Sequence, residues 1–96
     1  MKTNKYLLIV SSHKNKEFDV KRNLYAYELN DIFKVYRLSI KQTGTVIFYI
    51  VGTREQFNNY GFPDDMEKLK LIPKEIYNQL DELDDYQCCI KLASIK

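Results

Sequence analysis

Two short apolar runs, YLLIV at Tyr6–Val10 and TVIFYIV at Thr45–Val51, constrain this chain more than any other feature. Both are too short for a typical helix and rich in the branched and aromatic side chains that pack well on a pleated surface. Neither alternates regularly with polar residues, so both read as strands covered on two sides, which places them at the centre of a sheet. Between them, Phe33–Ile40 does alternate: Tyr36, Leu38 and Ile40 share one face and Val35, Arg37 and Ser39 the other. The KQTG stretch at 41–44 then joins it to the second apolar run as a β-hairpin. Tyr86–Leu92 alternates as well, with Cys88, Ile90 and Leu92 on one face, and reads as a closing strand.

Helical spacing occupies much of the remainder. No Gly or Pro interrupts Asn15–Asp31, Phe18, Tyr25, Leu29 and Ile32 fall at helical intervals, and Ser12 or Asn15 can serve as N-cap, although NLYAYEL at 23–29 also alternates as a strand would. A second helix is predicted from Pro73, with Ile76, Tyr77, Leu80 and Leu83 as its apolar stripe and its end near Asp84. The intervening REQFNNYGFPDD has room for a helical turn, mixed with Asn58-Asn59, Gly61 and Pro63, which mark a loop. The order is β-α-β-β-α-β over residues 1–96. It predicts a single α+β domain, a ferredoxin-like sandwich with two helices on one face of a four-stranded antiparallel sheet. A chain of 96 residues with 45% hydrophobic content supports one core and no second domain.

Composition narrows the setting. The 14% aromatic content argues against disorder, since disordered chains are poor in aromatic residues. The first apolar run is shorter than the roughly 7–15 residues of a signal-peptide core. Neither run approaches the roughly 18 apolar residues of a membrane span. The expectation is a cytoplasmic protein without membrane association. Cys88 and Cys89 are adjacent, so on a strand they would point to opposite faces and form no disulfide with each other. Twelve lysines against three arginines, with abundant Asn, Ile and Tyr, match A+T-rich coding and a low-GC bacterium or its phage. The net charge of +2 is uneven: residues 1–48 carry nine Lys/Arg and four Asp/Glu, a balance of +5, and residues 49–96 carry six and nine, a balance of −3.

Chemistry-bearing constellations are few. The single histidine stands beside neither a nucleophile-elbow motif nor a reactive-looking cysteine, so no catalytic residue is expected. Cys88-Cys89 match no zinc spacing, and neither metal nor cofactor is expected. The turn SSHKNK offers His13, Lys14 and Lys16 to an anion at a helix start, although without the glycines of a phosphate loop. With Arg22, Arg37 and Arg54 these residues form the candidate anion or nucleic-acid set. The acidic run DELDD, Asp81–Asp85, at a helix C-terminus opposes the helix dipole, and reads either as a solvated face or as a docking patch for a basic surface.

Two patterns point to a partner. Val20, Leu24 and Tyr27 form a second stripe on the first helix, where a helix covering a sheet needs only one. With both helices on one side, the bare sheet face would display Tyr6, Leu8 and Val10 with Ile47, Tyr49 and Val51, flanked by Arg37. The expected function is therefore non-enzymatic protein binding through Tyr6, Leu8, Ile47, Tyr49, Val51, Val20, Leu24 and Tyr27. The partner would be a host factor, a second copy in a homodimer, or both. A small module of this kind fits a phage or mobile-element inhibitor of a host defence protein. The second reading is RNA or DNA binding on the same open face, with Tyr6 and Tyr49 stacking bases beside Arg37, although TGTVIFYIV lacks the basic-Gly-aromatic signature of RNA-recognition modules.

A third reading comes from likeness. The stretch YRLSIKQTGTVIFYIVGTREQFNNY, Tyr36–Tyr60, resembles the C-terminal hairpin of RelE/HigB-type toxin ribonucleases, in which a Tyr-Arg-Leu strand precedes an apolar strand ending in Gly-Thr-His-x-x-Tyr. Arg54 stands where that family has histidine and Phe57 where it has tyrosine, and one helix replaces the helical hairpin expected before the strands. The resemblance covers about a quarter of the chain. It implies an mRNA-cleaving activity carried by Arg37 and Arg54.

Overall fold

A computed structural model describes residues 3–13, 30–60 and 62–96. Strands β1 (Tyr6–His13), β2 (Lys34–Ile40), β3 (Thr45–Gly52) and the two-residue β4 (Lys70–Leu71) form one antiparallel sheet in the order β2-β3-β1-β4. The two apolar runs are its central pair, as their composition requires. Strand β1 runs on through Ser11 and Ser12 to His13, which lies opposite Thr45, so the expected turn at Ser11-Ser12 is instead strand. The β2–β3 hairpin closes over 41–44, where Gly44 adopts φ 70° and donates its N–H to the Ile40 carbonyl at 3.0 Å. That left-handed conformation is one that glycine enters without steric penalty.

Register assigns the faces, because side chains directly opposite each other on paired strands point the same way. Leu7 faces Val51, Ile9 faces Tyr49, and across β3 Tyr36 and Leu38 stand opposite Tyr49 and Ile47. On the other side Tyr6, Leu8 and Val10 face Gly52, Ile50 and Phe48.

Both faces are covered. Helix α1 (Arg54–Tyr60) and a 3₁₀ segment at Pro63–Lys68 lie between β3 and β4, while α2 (Lys74–Gln79), a 3₁₀ turn at Leu80–Glu82 and α3 (Asp85–Ala93) follow β4. Leu7, Tyr36, Tyr49 and Val51 pack with Ile72, Leu80, Cys88, Cys89, Leu92 and Ile95. On the opposite side Leu8, Phe48 and Ile50 pack with Phe33, Phe57 and Phe62. The last three rings meet in tilted and edge-on contacts, with centroids 4.7 Å apart for Phe33–Phe57 and 5.8 Å for each contact with Phe62. Pairs at such separations add to simple burial.

The arrangement corrects the expected topology in three places. Tyr86–Leu92 lies in helix α3 and is not a strand; the fourth strand is Lys70–Leu71. Asp84 starts α3 with a capping box: its carboxylate accepts from the Gln87 N–H at 2.8 Å, while Gln87 Oε1 accepts from the Asp84 N–H. Cys88, Cys89 and Leu92 then reach the core together, a spacing that a strand would split between two faces. Residues 54–60 form a full helix where a helical turn within a loop was expected, secured by a second box in which Thr53 Oγ1 accepts from the Gln56 N–H at 3.1 Å and Gln56 Oε1 from the Thr53 N–H at 2.9 Å. Gln56 Nε2 also donates to the Ile32 carbonyl at 3.0 Å, tying α1 to the chain that enters β2. Finally, helical segments pack on both sides of the sheet. The fold is α+β with a four-stranded antiparallel sheet, and two helices confined to one face do not describe it. The expected first helix lies outside the described residues except for its end, where residues 30–32 are helical. The second helix agrees with α2 and the turn that follows it.

Candidate functional site

The proposed open face does not exist as a single surface. Even-numbered residues of β1 pair with even-numbered residues of β3, so Tyr6 and Leu8 point to one side and Ile47, Tyr49 and Val51 to the other. Leu8, Tyr49 and Val51 are 2%, 5% and 2% exposed and belong to the monomer's own cores. Ile47 and Tyr6 are half-buried. Val20, Leu24, Tyr27, Lys14, Lys16 and Arg22 lie outside the described residues, as does the His13 side chain. Arg37 is exposed on outer strand β2, opposite Phe48. Arg54 opens α1 with its guanidinium 5.3 Å from the centre of the Tyr6 ring. Strand β3 separates the strands that carry Arg37 and Tyr6.

The thiols are placed for packing. The Cys88 Sγ donates to the Leu80 carbonyl at 3.3 Å, and burial pushes its pKa up. Burial raises Cys89 to about 11. Both therefore stay protonated at neutral pH and lack the thiolate that reactivity needs. Their expected placement on opposite strand faces is replaced by a shared buried position on α3. Burial likewise lifts Tyr36 to about 12. Lys34 is raised by its 2.6 Å hydrogen bond to Asp81, and it also lies 5.8 Å from the Tyr77 ring, which Lys5 approaches to 5.7 Å. Among the described residues no cluster of three or more His, Cys, Asp or Glu side chains could hold a metal ion, and no helix is long and apolar enough to cross a membrane.

Two surface features stand out. One is a depression of about 540 Å³ whose lining includes Asn4, Tyr6, Thr53, Arg54, Glu55 and Tyr60; here Arg54 stacks on Tyr6 and the Tyr60 ring is 56% exposed. The other is the outer side of α3. Tyr86 and Ile90, one helical turn apart, are 62% and 49% exposed. With half-buried Leu83, and with Gln87, Lys91 and Ser94, they border a groove of about 440 Å³. Since Cys88, Cys89 and Leu92 fill the inner side of the same helix, α3 is apolar on two sides. An amphipathic helix covering a core needs one apolar stripe; two are the pattern of a helix packed on both sides.

Negative charge is concentrated along the sequence that leads into α3. From Glu75 to Ile90 the chain carries five carboxylates, Glu75, Asp81, Glu82, Asp84 and Asp85, and no Lys or Arg. The run read as opposing a helix dipole is divided by the structure. Asp81 and Glu82 follow α2, whereas Asp84 and Asp85 occupy the cap and first turn of α3, where negative charge is favourable. The Tyr86–Ile90 pair was missed because Tyr86–Leu92 was read with a period of two. Read with a period of 3.6, Tyr86 and Ile90 separate from Cys88, Cys89 and Leu92.

No protein-family model matches the chain, and no curated protein or solved structure is significantly similar to it.

Proposed function

We propose that this protein is a non-enzymatic protein-binding module that docks through the outer side of α3. The observation that carries the reading is the exposure of Tyr86 and Ile90 on a helix whose inner side already fills the core. An exposed apolar pair bordering a groove has the make-up of an association surface. Aromatic anchors carry a disproportionate share of interface energy, which makes Tyr86 the residue on which binding is expected to depend most. The test is capture from host lysate, with and without nuclease, using the wild-type chain and the Tyr86→Ala and Ile90→Ser variants. A nuclease-resistant partner held by the wild type and lost by both variants, with thermal stability unchanged, supports the reading. Equal capture by all three proteins rules out this face.

A second reading has its own observation. The Arg54 guanidinium over Tyr6, beside exposed Tyr60, combines a cation with aromatic surface, the pairing on which single-stranded nucleic acids stack. Titration with single-stranded RNA decides it. Saturable binding lost in Arg54→Ala and Tyr60→Ala favours nucleic acid; binding unchanged by those substitutions removes the depression from consideration. The ribonuclease reading through Arg37 and Arg54 ranks third: β3 separates the strand that carries Arg37 from the one that carries Tyr6, whose ring lies under Arg54.

A further inference from the structure

We infer, resting on the second reading above, that the Arg54 depression is one half of a groove for single-stranded nucleic acid, and that a pocket between Lys5 and Lys74 is its phosphate-binding half. Stacking alone does not hold a polyanion, since a large share of the affinity for such ligands comes from cations set against their phosphates. The charges that line the depression, Arg54 and Glu55, cancel. Beside it lies a second depression of about 340 Å³, whose lining includes Lys5, Lys74, Tyr77 and Asn78 and, among the described residues, no carboxylate. Thr3 and Asn4 line both, so the two adjoin along the chain that enters β1.

Local structure brings the cations together. The Ile72 N–H donates to the Lys5 carbonyl at 2.9 Å, which clasps the segment before β1 against the connection from β4 to α2. Lys5 Nζ then lies 5.7 Å from the centre of the Tyr77 ring on α2. Lys74 opens that helix and Asn78 follows one turn later, so the two are neighbours on its surface. Lys34 approaches the same ring at 5.8 Å but is held by Asp81 at 2.6 Å, and each neutralises the other. Among the described residues no carboxylate pairs with Lys5 or Lys74. The pocket therefore offers two cations, with the Thr3 hydroxyl and the Asn4 and Asn78 amides as neutral donors to phosphate oxygens. Lys5 and Tyr6 are consecutive in the chain: one supplies the cationic half, and the other lies under Arg54 in the aromatic half. A cationic track beside aromatic surface is the combination by which single strands are held.

The experiment titrates the full chain into a fluorescent oligouridine of roughly ten nucleotides at several salt concentrations, following anisotropy. Saturable binding is expected. The Lys5→Gln/Lys74→Gln double variant should bind about tenfold more weakly. Its log-affinity should also fall less steeply with log salt, by about 1.4, or about 0.7 for each phosphate contact removed. Tyr60→Ala should weaken binding and leave that slope unchanged. Circular dichroism checks that each variant keeps its fold, and Lys74→Gln alone, at an exposed position, carries the test if Lys5→Gln does not fold. Oligothymidine in the same titration separates DNA from RNA as the source of the phosphates, and binding of either supports the groove. Binding lost in Tyr60→Ala, with affinity and slope unchanged in the lysine variants, would overturn the phosphate half and leave the second reading standing. Binding weakened in the lysine variants but indifferent to Tyr60→Ala and Arg54→Ala would overturn that reading and the joined groove, leaving an anion pocket alone. Failure of both oligonucleotides to bind overturns both.

Discussion

Gly52 lies so close to Phe33 that a β-carbon at Gly52 would sit 2.6 Å from the Phe33 Cδ1 and 2.8 Å from Gln56 Oε1. The first atom belongs to a ring in contact with both Phe57 and Phe62, and the second to the amide that caps α1. Neither can retreat without disturbing a buried contact. Gly52→Ala is therefore expected to destabilise the domain by about 1–3 kcal/mol, the usual range for overpacking. Urea denaturation measures it, and a loss below about 0.5 kcal/mol would show that Phe33 moves freely.

Asp84→Ala removes the cap of α3 and should cost about 1 kcal/mol. Asp84→Asn should retain most of that, because an amide oxygen can still accept from the Gln87 N–H. Circular dichroism with thermal melting distinguishes the two variants. Equal stability of Asp84→Ala and wild type would deny the capping box any role.

Tyr49 is buried beneath α3 and opposite Tyr36 on β2. Tyr49→Ala should cost about 3–5 kcal/mol as a large core truncation, and Tyr49→Glu should unfold the domain. Thermal stability and light scattering measured together check this. A folded Tyr49→Glu protein that merely changes its association state would return the residue to a surface role.

Stability should fall in alkali. Burial holds Cys89 at about 11 against an ordinary 9.0, and Tyr36 at about 12 against 10.0, so the folded chain keeps protons that the unfolded chain releases. Unfolding then releases protons, and stability is full below about pH 9 and declines as pH rises towards 12. Denaturation midpoints across that range test the sign, and Cys89→Ala should make the earlier part of the decline shallower, with buried Cys88 supplying what is left of it.

Parts of this architecture were legible because one residue type settles them. Branched runs without polar alternation marked β1 and β3 as central, and Pro73 with Ile76, Tyr77 and Leu80 marked α2. The closing segment was ambiguous because Cys88 and Leu92 satisfy both periods; Ile90 decides between them, and its 49% exposure follows the helical one. Helix α1 was hidden behind Asn58-Asn59, whose turn preference is overridden by the Thr53–Gln56 box and by Phe57 fixed in the core. The face of each central-strand residue depended on register parity, which no local pattern encodes. Swapping it divided the anticipated binding surface between two cores, and the exposed Tyr86–Ile90 pair emerged only once α3 was seen to be a helix.

The position of β1 carries a consequence for the order of assembly. It is the first strand in the sequence, yet it lies between β3 and β4, and its pairing of Tyr6 with Gly52 spans forty-six positions. Hairpin β2–β3 closes over four residues and can form as soon as it is made. Strand β1 must wait for that template, and closing the longer loop carries the larger entropy loss. Non-local pairing of this kind slows folding. On the ribosome this apolar strand therefore emerges before its partner and stays unpaired until β3 has followed it. The interval in which YLLIV lacks its partner is the chain's period of greatest exposure to misassembly.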